Sequence, residues 1–173
     1  MKSTSAMSCR MIFALSVILL LVTCIGEVAA SLDTVDKVVV IKSERKMVLL
    51  KRGTVFRSFD VALGRNPVGP KIRQGDHRTP EGTYLLDWRN GQSRFYRSIH
   101  ISYPSEADLR NARKQGVPAG GDIMIHGLPK GKESVGELHT LVNWTKGCIA
   151  VTNAEMDEIW RVVPDGTPIE IRP

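Results

Sequence analysis

Two residues in this sequence have the types and settings that acyl transfer needs. Cys148 directly follows Gly147 at the head of the apolar run Cys148-Ile149-Ala150-Val151. A glycine before a nucleophile lets the backbone turn sharply and lets a substrate approach. It also leaves amide N–H groups free to face a developing oxyanion. Lys146 stands beside the pair, and a nearby cation favours the thiolate. His126 ends a second apolar run, Ile123-Met124-Ile125, and is followed by Gly127. A thiol needs a base within hydrogen-bond reach, and the base needs a third group to fix its tautomer. A backbone carbonyl can be that group. Each residue also has a plainer interpretation, Cys148 as a small buried hydrophobe and His126 as a histidine satisfied at a strand end.

The remaining histidines compete less well. His139 lies nine residues before Cys148 and is the rival base. His77 sits in a Gly/Pro-rich loop, and His100 alternates with Ile99 and Ile101, so it faces away from a core they would enter. Asp122, His126, His139 and Cys148 do not have the spacing of a zinc site: there is no HExxH and no pair of CxxC elements. No metal and no cofactor is expected. No GxSxG or matched SxxK points to serine chemistry.

The elements that must hold these residues are mostly strands. Lys37 to Ile41, Met47 to Leu50 and Thr54 to Leu63 form a β-meander, with Gly53 in the turn. Gly64 to Gly82 holds four Gly and three Pro in 19 residues without apolar period. It reads as a long ordered loop, and such loops are usually functional. Arg65, Arg73 and Arg78 lie in it and could meet substrate carboxylates, although solvated loop charge is the commoner explanation. Strands are predicted over Thr83–Asp87, Tyr96–Tyr103, Asp122–His126, Cys148–Val151 and Pro168–Ile171. A polar helix is predicted over Pro104–Gln115 and a helical turn within Val135–Trp144. Thr152 to Glu155 has capping-box spacing and opens a helix to Val163, with Met156, Ile159, Trp160 and Val163 as its core stripe. The class is mostly β with a few short helices (α+β).

The first thirty residues stand apart. A short polar start is followed by the apolar run Met11–Ile25 and then by Val28-Ala29-Ala30, the order of a secretory signal peptide. The run is short for a membrane span, which needs roughly 20 residues. An uncleaved anchor and a lipoprotein at Cys24 are the competing assignments. Residues 31–173 then make one domain, large enough for a real core. Lys2, Arg10 and Glu27 are the only charges removed, so the net charge stays near +5, against +6 for the whole chain. That balance suits an anionic, carboxylate-rich polymer, or is only a solubility charge. No Lys/Arg run with interleaved aromatics is present, so nucleic acid is not an expected partner. Of three cysteines, Cys9 and Cys24 fall in the signal. Cys148 is thus alone in an exported protein, where cysteines usually pair.

Together these residues resemble the L,D-transpeptidase catalytic domain, the YkuD-type family. The family's His-Gly corresponds to His126-Gly127. Its Ser/Thr-His-Gly-Cys followed by an apolar residue corresponds to Thr145-Lys146-Gly147-Cys148-Ile149. Thr79-Pro80-Glu81-Gly82 resembles the TPxG loop, and Val61-Ala62-Leu63-Gly64 the strand end before it. The run from Trp144 to Asn153 is similar to the YafK-like sub-group. The resemblance spans nearly all of residues 36–172.

The resemblance implies a β-sandwich or barrel-like catalytic domain, working as an exported monomer on peptidoglycan stem peptides. It implies that Cys148 attacks the carbonyl of the third stem residue and expels the terminal D-amino acid. His126 takes the thiol proton, the Gly127 carbonyl orients His126, and the Gly147 and Cys148 amides contribute to the oxyanion hole. The acyl group then passes to an amine, or to water in a hydrolase that trims cross-links or releases wall-attached protein. Lys146 replaces the usual second histidine, and Ala150 replaces an arginine found in many members. A non-catalytic wall-binding module on this fold would be expected to lack Cys148 or His126.

Overall fold

The structure, a computed structural model, describes residues 34–173; the signal-peptide reading of residues 1–30 lies outside them. Its frame is one eight-stranded sheet. The strands are β1 (Lys37–Ile41), β2 (Lys46–Lys51), β3 (Thr54–Asp60), β4 (Gly82–Asn90), β5 (Ser98–Ile101), β6 (Met124–His126), β7 (Ile149–Ala150) and β8 (Thr167–Arg172). Their order across the sheet is β3-β2-β1-β8-β4-β5-β6-β7. The opening meander is antiparallel, and β8 inserts beside β1 in parallel.

The sheet curls until its two ends meet. The chain leaving β3 at one edge reaches β7 at the other, where Ala62 and Ala150 exchange both backbone hydrogen bonds at 3.0 and 2.8 Å. Just beyond, Thr145 donates to Leu63 O and accepts from Arg65 N, both at 3.1 Å. Ala62 and Ala150 are fully buried, so only small side chains fit at this seam. The predicted mostly-β class holds, as a single curled, barrel-like sheet.

The buried side chains follow the expected alternation, with one shift. Phe59 and Val61 enter the core, but Val55 is 62 % exposed. A bulge between Leu49 and Leu50 changes the pairing register at that end of β3, which turns Val55 outward. The polar helix α1 (Glu106–Lys114) is capped by Ser105, whose hydroxyl accepts from the Asp108 N–H while the Asp108 carboxylate accepts from the Ser105 N–H. In α2 (Asn153–Val162), Thr152 and Glu155 form the predicted capping box. Met156, Ile159 and Val163 are buried as expected. Trp160 is only half-buried, and the guanidinium groups of Arg89 and Arg97 lie 5.1 and 5.3 Å from its ring. The predicted turn before Trp144 is a 3₁₀ segment, Glu133–Leu141, broken at Gly136.

The loop from Gly64 to Gly82 is held by two buried lysines. Lys42 Nζ donates to Gly69 O, Thr79 O and Glu81 Oε1 at 2.7, 3.0 and 2.8 Å, which uses all three of its protons. Lys71 Nζ donates to Arg73 O and to Asp76 Oδ1 at 3.0 and 2.8 Å. The Asp76 carboxylate also accepts from the amides of Ile72, Arg73 and Arg78. Thr79 Oγ1 accepts from Gly64 N at 3.0 Å, so the TPxG segment fastens the loop to the seam.

Those donors hold the Asp76 carboxyl at about 2, below its ordinary value, against the opposing effect of its burial. A depressed acid stabilises the fold above its unfolded pKa, and that contribution is lost as pH falls towards the folded value. Asp76→Ala leaves Lys71 buried without its counter-charge, so a loss of about 3–5 kcal/mol is expected at pH 7. Urea unfolding of Asp76→Ala and of Lys71→Met/Asp76→Ala checks this: the double variant should recover part of the loss.

Candidate active site

Strands β6 and β7 run parallel, with Ile125 opposite Ile149 and His126 opposite Ala150. One residue back in the same register, Cys148 is level with Met124. Opposed residues share a face, so Cys148 and His126 point to one side, a diagonal of roughly 8 Å apart along the backbone. Both line a cleft of about 700 Å³. Lys71, His77, Arg94, Phe95, Asp122 and Trp144 are among its other walls.

His126 is held on every side. Its backbone carbonyl accepts from Val151 N at 3.0 Å. Phe95 lies 4.5 Å from its ring and Trp144 meets it edge-on at 5.7 Å. Nδ1 bonds to the Gly127 carbonyl at 2.7 Å. A carbonyl only accepts, so the proton sits on Nδ1 and Nε2 is left as the lone-pair nitrogen. Gly127 can turn its carbonyl there because it lacks a side chain: a Cβ would lie 2.6 Å from Asn153 Oδ1. Burial lowers the His126 pKa to about 4, despite the bond to Gly127. The imidazole is therefore neutral at pH 7.

Cys148 is the free cysteine among the described residues and is half-buried. Its thiol donates to Asp122 O at 3.6 Å. Burial pushes the thiol pKa up; a hydrogen bond from the Met124 amide opposes this, Asp122 adds to it, and the charge of Lys71 opposes it. The cation acting on the thiol is thus Lys71, from the Gly/Pro loop, in place of the neighbouring Lys146. Lys146 is exposed, with its side chain on the cleft rim. At rest the site holds a neutral thiol and a neutral imidazole.

Gly147 contributes differently from the expected oxyanion donor. Its N–H is already bonded to Thr145 Oγ1 at 3.1 Å. What the position requires is conformational: φ is +128°, and a Cβ would lie 2.7 Å from the Arg78 carbonyl oxygen. The Gly147–Cys148 turn and the long loop are therefore in backbone contact.

The other sequence candidates separate clearly. His100 bonds to Asp87 at 2.6 Å and stacks on Trp88. His77 is half-buried and lines the cleft. His139 is buried with neither ring nitrogen bonded. It lines a separate apolar groove of about 260 Å³ with Leu128, Val135, Leu138 and Val142. Arg78 donates to Pro70 O, and Arg65 lines the cleft. Sequence reasoning missed Lys71, Phe95 and Trp144. Nothing in the spacing signals a buried lysine, and the two rings reach His126 from the segments just before β5 and β7, through tertiary structure that spacing does not show.

The family model of the YkuD L,D-transpeptidase catalytic domain matches residues 36–171. The chain belongs to this family. The transpeptidase-type domain is 32 % identical to YafK of Escherichia coli (strain K12) over 131 residues, covering 72 % of this chain and 45 % of that protein. Among solved structures it resembles the helical cell shape determining protein Pgp2 from Campylobacter jejuni, with 26 % identity and a TM-score of 0.59, covering 80 % of this chain and 48 % of that one. Bd1075 of Bdellovibrio bacteriovorus shares the fold at 23 % identity and a TM-score of 0.56, over 81 % of this chain and 51 % of its own. The chain spans about half the length of these relatives.

Two outcomes follow for this transpeptidase-type domain. Alkylation of Cys148 by iodoacetamide should accelerate with pH through a midpoint above the ordinary thiol value of about 8.5; a midpoint below neutrality would mean a thiolate–imidazolium pair. Gly147→Ala should lower stability by about 1–3 kcal/mol, seen as an earlier urea midpoint.

Proposed function

We propose that this domain is a cysteine acyltransferase of the cell envelope acting on peptidoglycan stem peptides. The observation that carries the reading is the His126 Nδ1–Gly127 O bond, which leaves Nε2 as a proton acceptor in the cleft that Cys148 also lines. Cys148 Sγ attacks the carbonyl carbon of the third stem residue while Nε2 takes the thiol proton. The amide C–N bond then breaks, and the proton passes to the departing amine of the terminal D-amino acid. A thioester remains. An acceptor amine attacks it, gives its proton to Nε2, and restores the thiol as the new amide forms.

Because both groups are neutral at rest, proton transfer accompanies attack. The oxyanion falls to the Cys148 amide, since the Gly147 amide is bonded to Thr145. Membership of the family supports the wall as the place of action. So does the likeness to Pgp2, a protein that determines helical cell shape. Export would bring the domain there.

Hydrolysis through the same thioester is the second reading. It is favoured by the size of the cleft, about 700 Å³, which admits water to the acyl-enzyme. Residues 31–173 incubated with purified muropeptides decide between them by mass. New cross-linked dimers mark transfer; loss of a terminal residue or a cross-link marks hydrolysis. Cys148→Ala should abolish both, and full activity in that variant would end the mechanism. His126→Ala should cost at least about 100-fold, while His139→Ala should change the rate little. The acid limb of the rate profile should fall near pH 4, because His126 stays a neutral base until then.

A further inference from the structure

Three cations face the Cys148 cleft without a partner. Arg65, Arg94 and Lys146 line it and are exposed. None of the three side chains makes a hydrogen bond or ion pair among the described residues. Their neighbours differ: Lys71 is paired with Asp76, and Arg78 is bonded to Pro70. Among the described residues, Asp122 is the single carboxylate lining the cleft.

Backbone geometry makes these three a set. Arg65 N donates to Thr145 O, and Lys146 is the next residue. The seam therefore delivers Arg65 and Lys146 to the cleft from adjacent segments. Arg94 precedes Phe95, which packs on the His126 ring at 4.5 Å. Cations thus flank both the nucleophile's turn and the base. The strand carrying the nucleophile brings none of its own, because Ala150, opposite His126, is small and fully buried. A carboxylate accepts from such donors with charge assistance, and a guanidinium can bind it through two parallel bonds. A carboxamide turns an NH₂ donor towards these donors and carries no charge.

Resting on the stem-peptide reading above, we infer that Arg65, Lys146 and Arg94 select stems with a free carboxylate beside the scissile bond and reject the same stems amidated there. These are specificity residues: they act on which stem enters and leave the thiol chemistry alone.

The test compares tetrapeptide stem fragments, free and amidated, by calorimetric binding to the full chain carrying Cys148→Ala, which cannot consume them by the proposed route. The free form should bind at least about tenfold more tightly, and the gap should shrink as salt is raised. Adding Arg65→Gln with Lys146→Gln, or Arg94→Gln, should remove most of the gap with no change in melting temperature. With Cys148 restored, these substitutions should raise KM for the free stem and leave kcat unchanged. Equal binding of the two stems, no binding of the free one, or an equal loss for both in the Gln variants would overturn the inference. Equal turnover by wild type and Cys148→Ala would instead sink the catalytic reading, and the binding comparison would still decide this one.

Discussion

The paired hydrogen bonds between Ala62 and Ala150 are the constraint on which the rest of the domain depends. They join the two ends of a curled sheet, and they do so two residues past Cys148. A larger side chain at either position would have to push the ends apart, since both are fully buried. Everything near the thiol inherits its place from that closure. Thr145 is bonded across it to Leu63 and Arg65. Gly64 packs against both the His77 carbonyl and the Gly147 Cα, so closely that a Cβ there would lie 2.1 Å from His77 O. The turn carrying Cys148, a long loop and a strand end thus form one rigid corner.

Charge does the second part of the work. The Gly/Pro loop has almost no apolar period with which to fold itself, and it is fixed instead by Lys42 with Glu81 and Lys71 with Asp76. Burying such pairs is costly unless every proton is accepted. The full set of acceptors around Lys42 and the four bonds to the Asp76 carboxylate meet that demand. Lys71 then serves twice, as the loop's anchor and as the buried charge nearest in effect to the thiol. The exposed cations of the rim have a different standing: they are left open to an incoming anion.

Much of this was legible in the residues. Period-two alternation located the strands, and Thr152-x-x-Glu155 located the start of α2, because capping and alternation are local effects. His126-Gly127 and Gly147-Cys148 stood out for their types and order. Three features were not legible. Val55 faces solvent because an extra residue, Phe56, in its own strand moves the register opposite Leu49 and Leu50, and such bulges leave no composition mark here. The Gly147 amide is bonded to Thr145 Oγ1, a side-chain bond that residue types alone do not announce. Lys71 reads as one more loop charge until the knot around Asp76 carries it inward. For Val55 and Lys71 tertiary structure overrode a local expectation; for Gly147 a short-range side-chain bond did so.

The neutral resting pair has a consequence for the sulfur's stability towards oxidants. Peroxide and disulfide exchange both act on the thiolate, and their rates follow its population and exposure. Burial keeps Cys148 protonated, its proton lies on the Asp122 carbonyl, and His126 is too desolvated to hold a charge that would draw that proton away. The same burial that, in the proposed reaction, would hold back attack until a substrate arrives also keeps the sulfur chemically quiet.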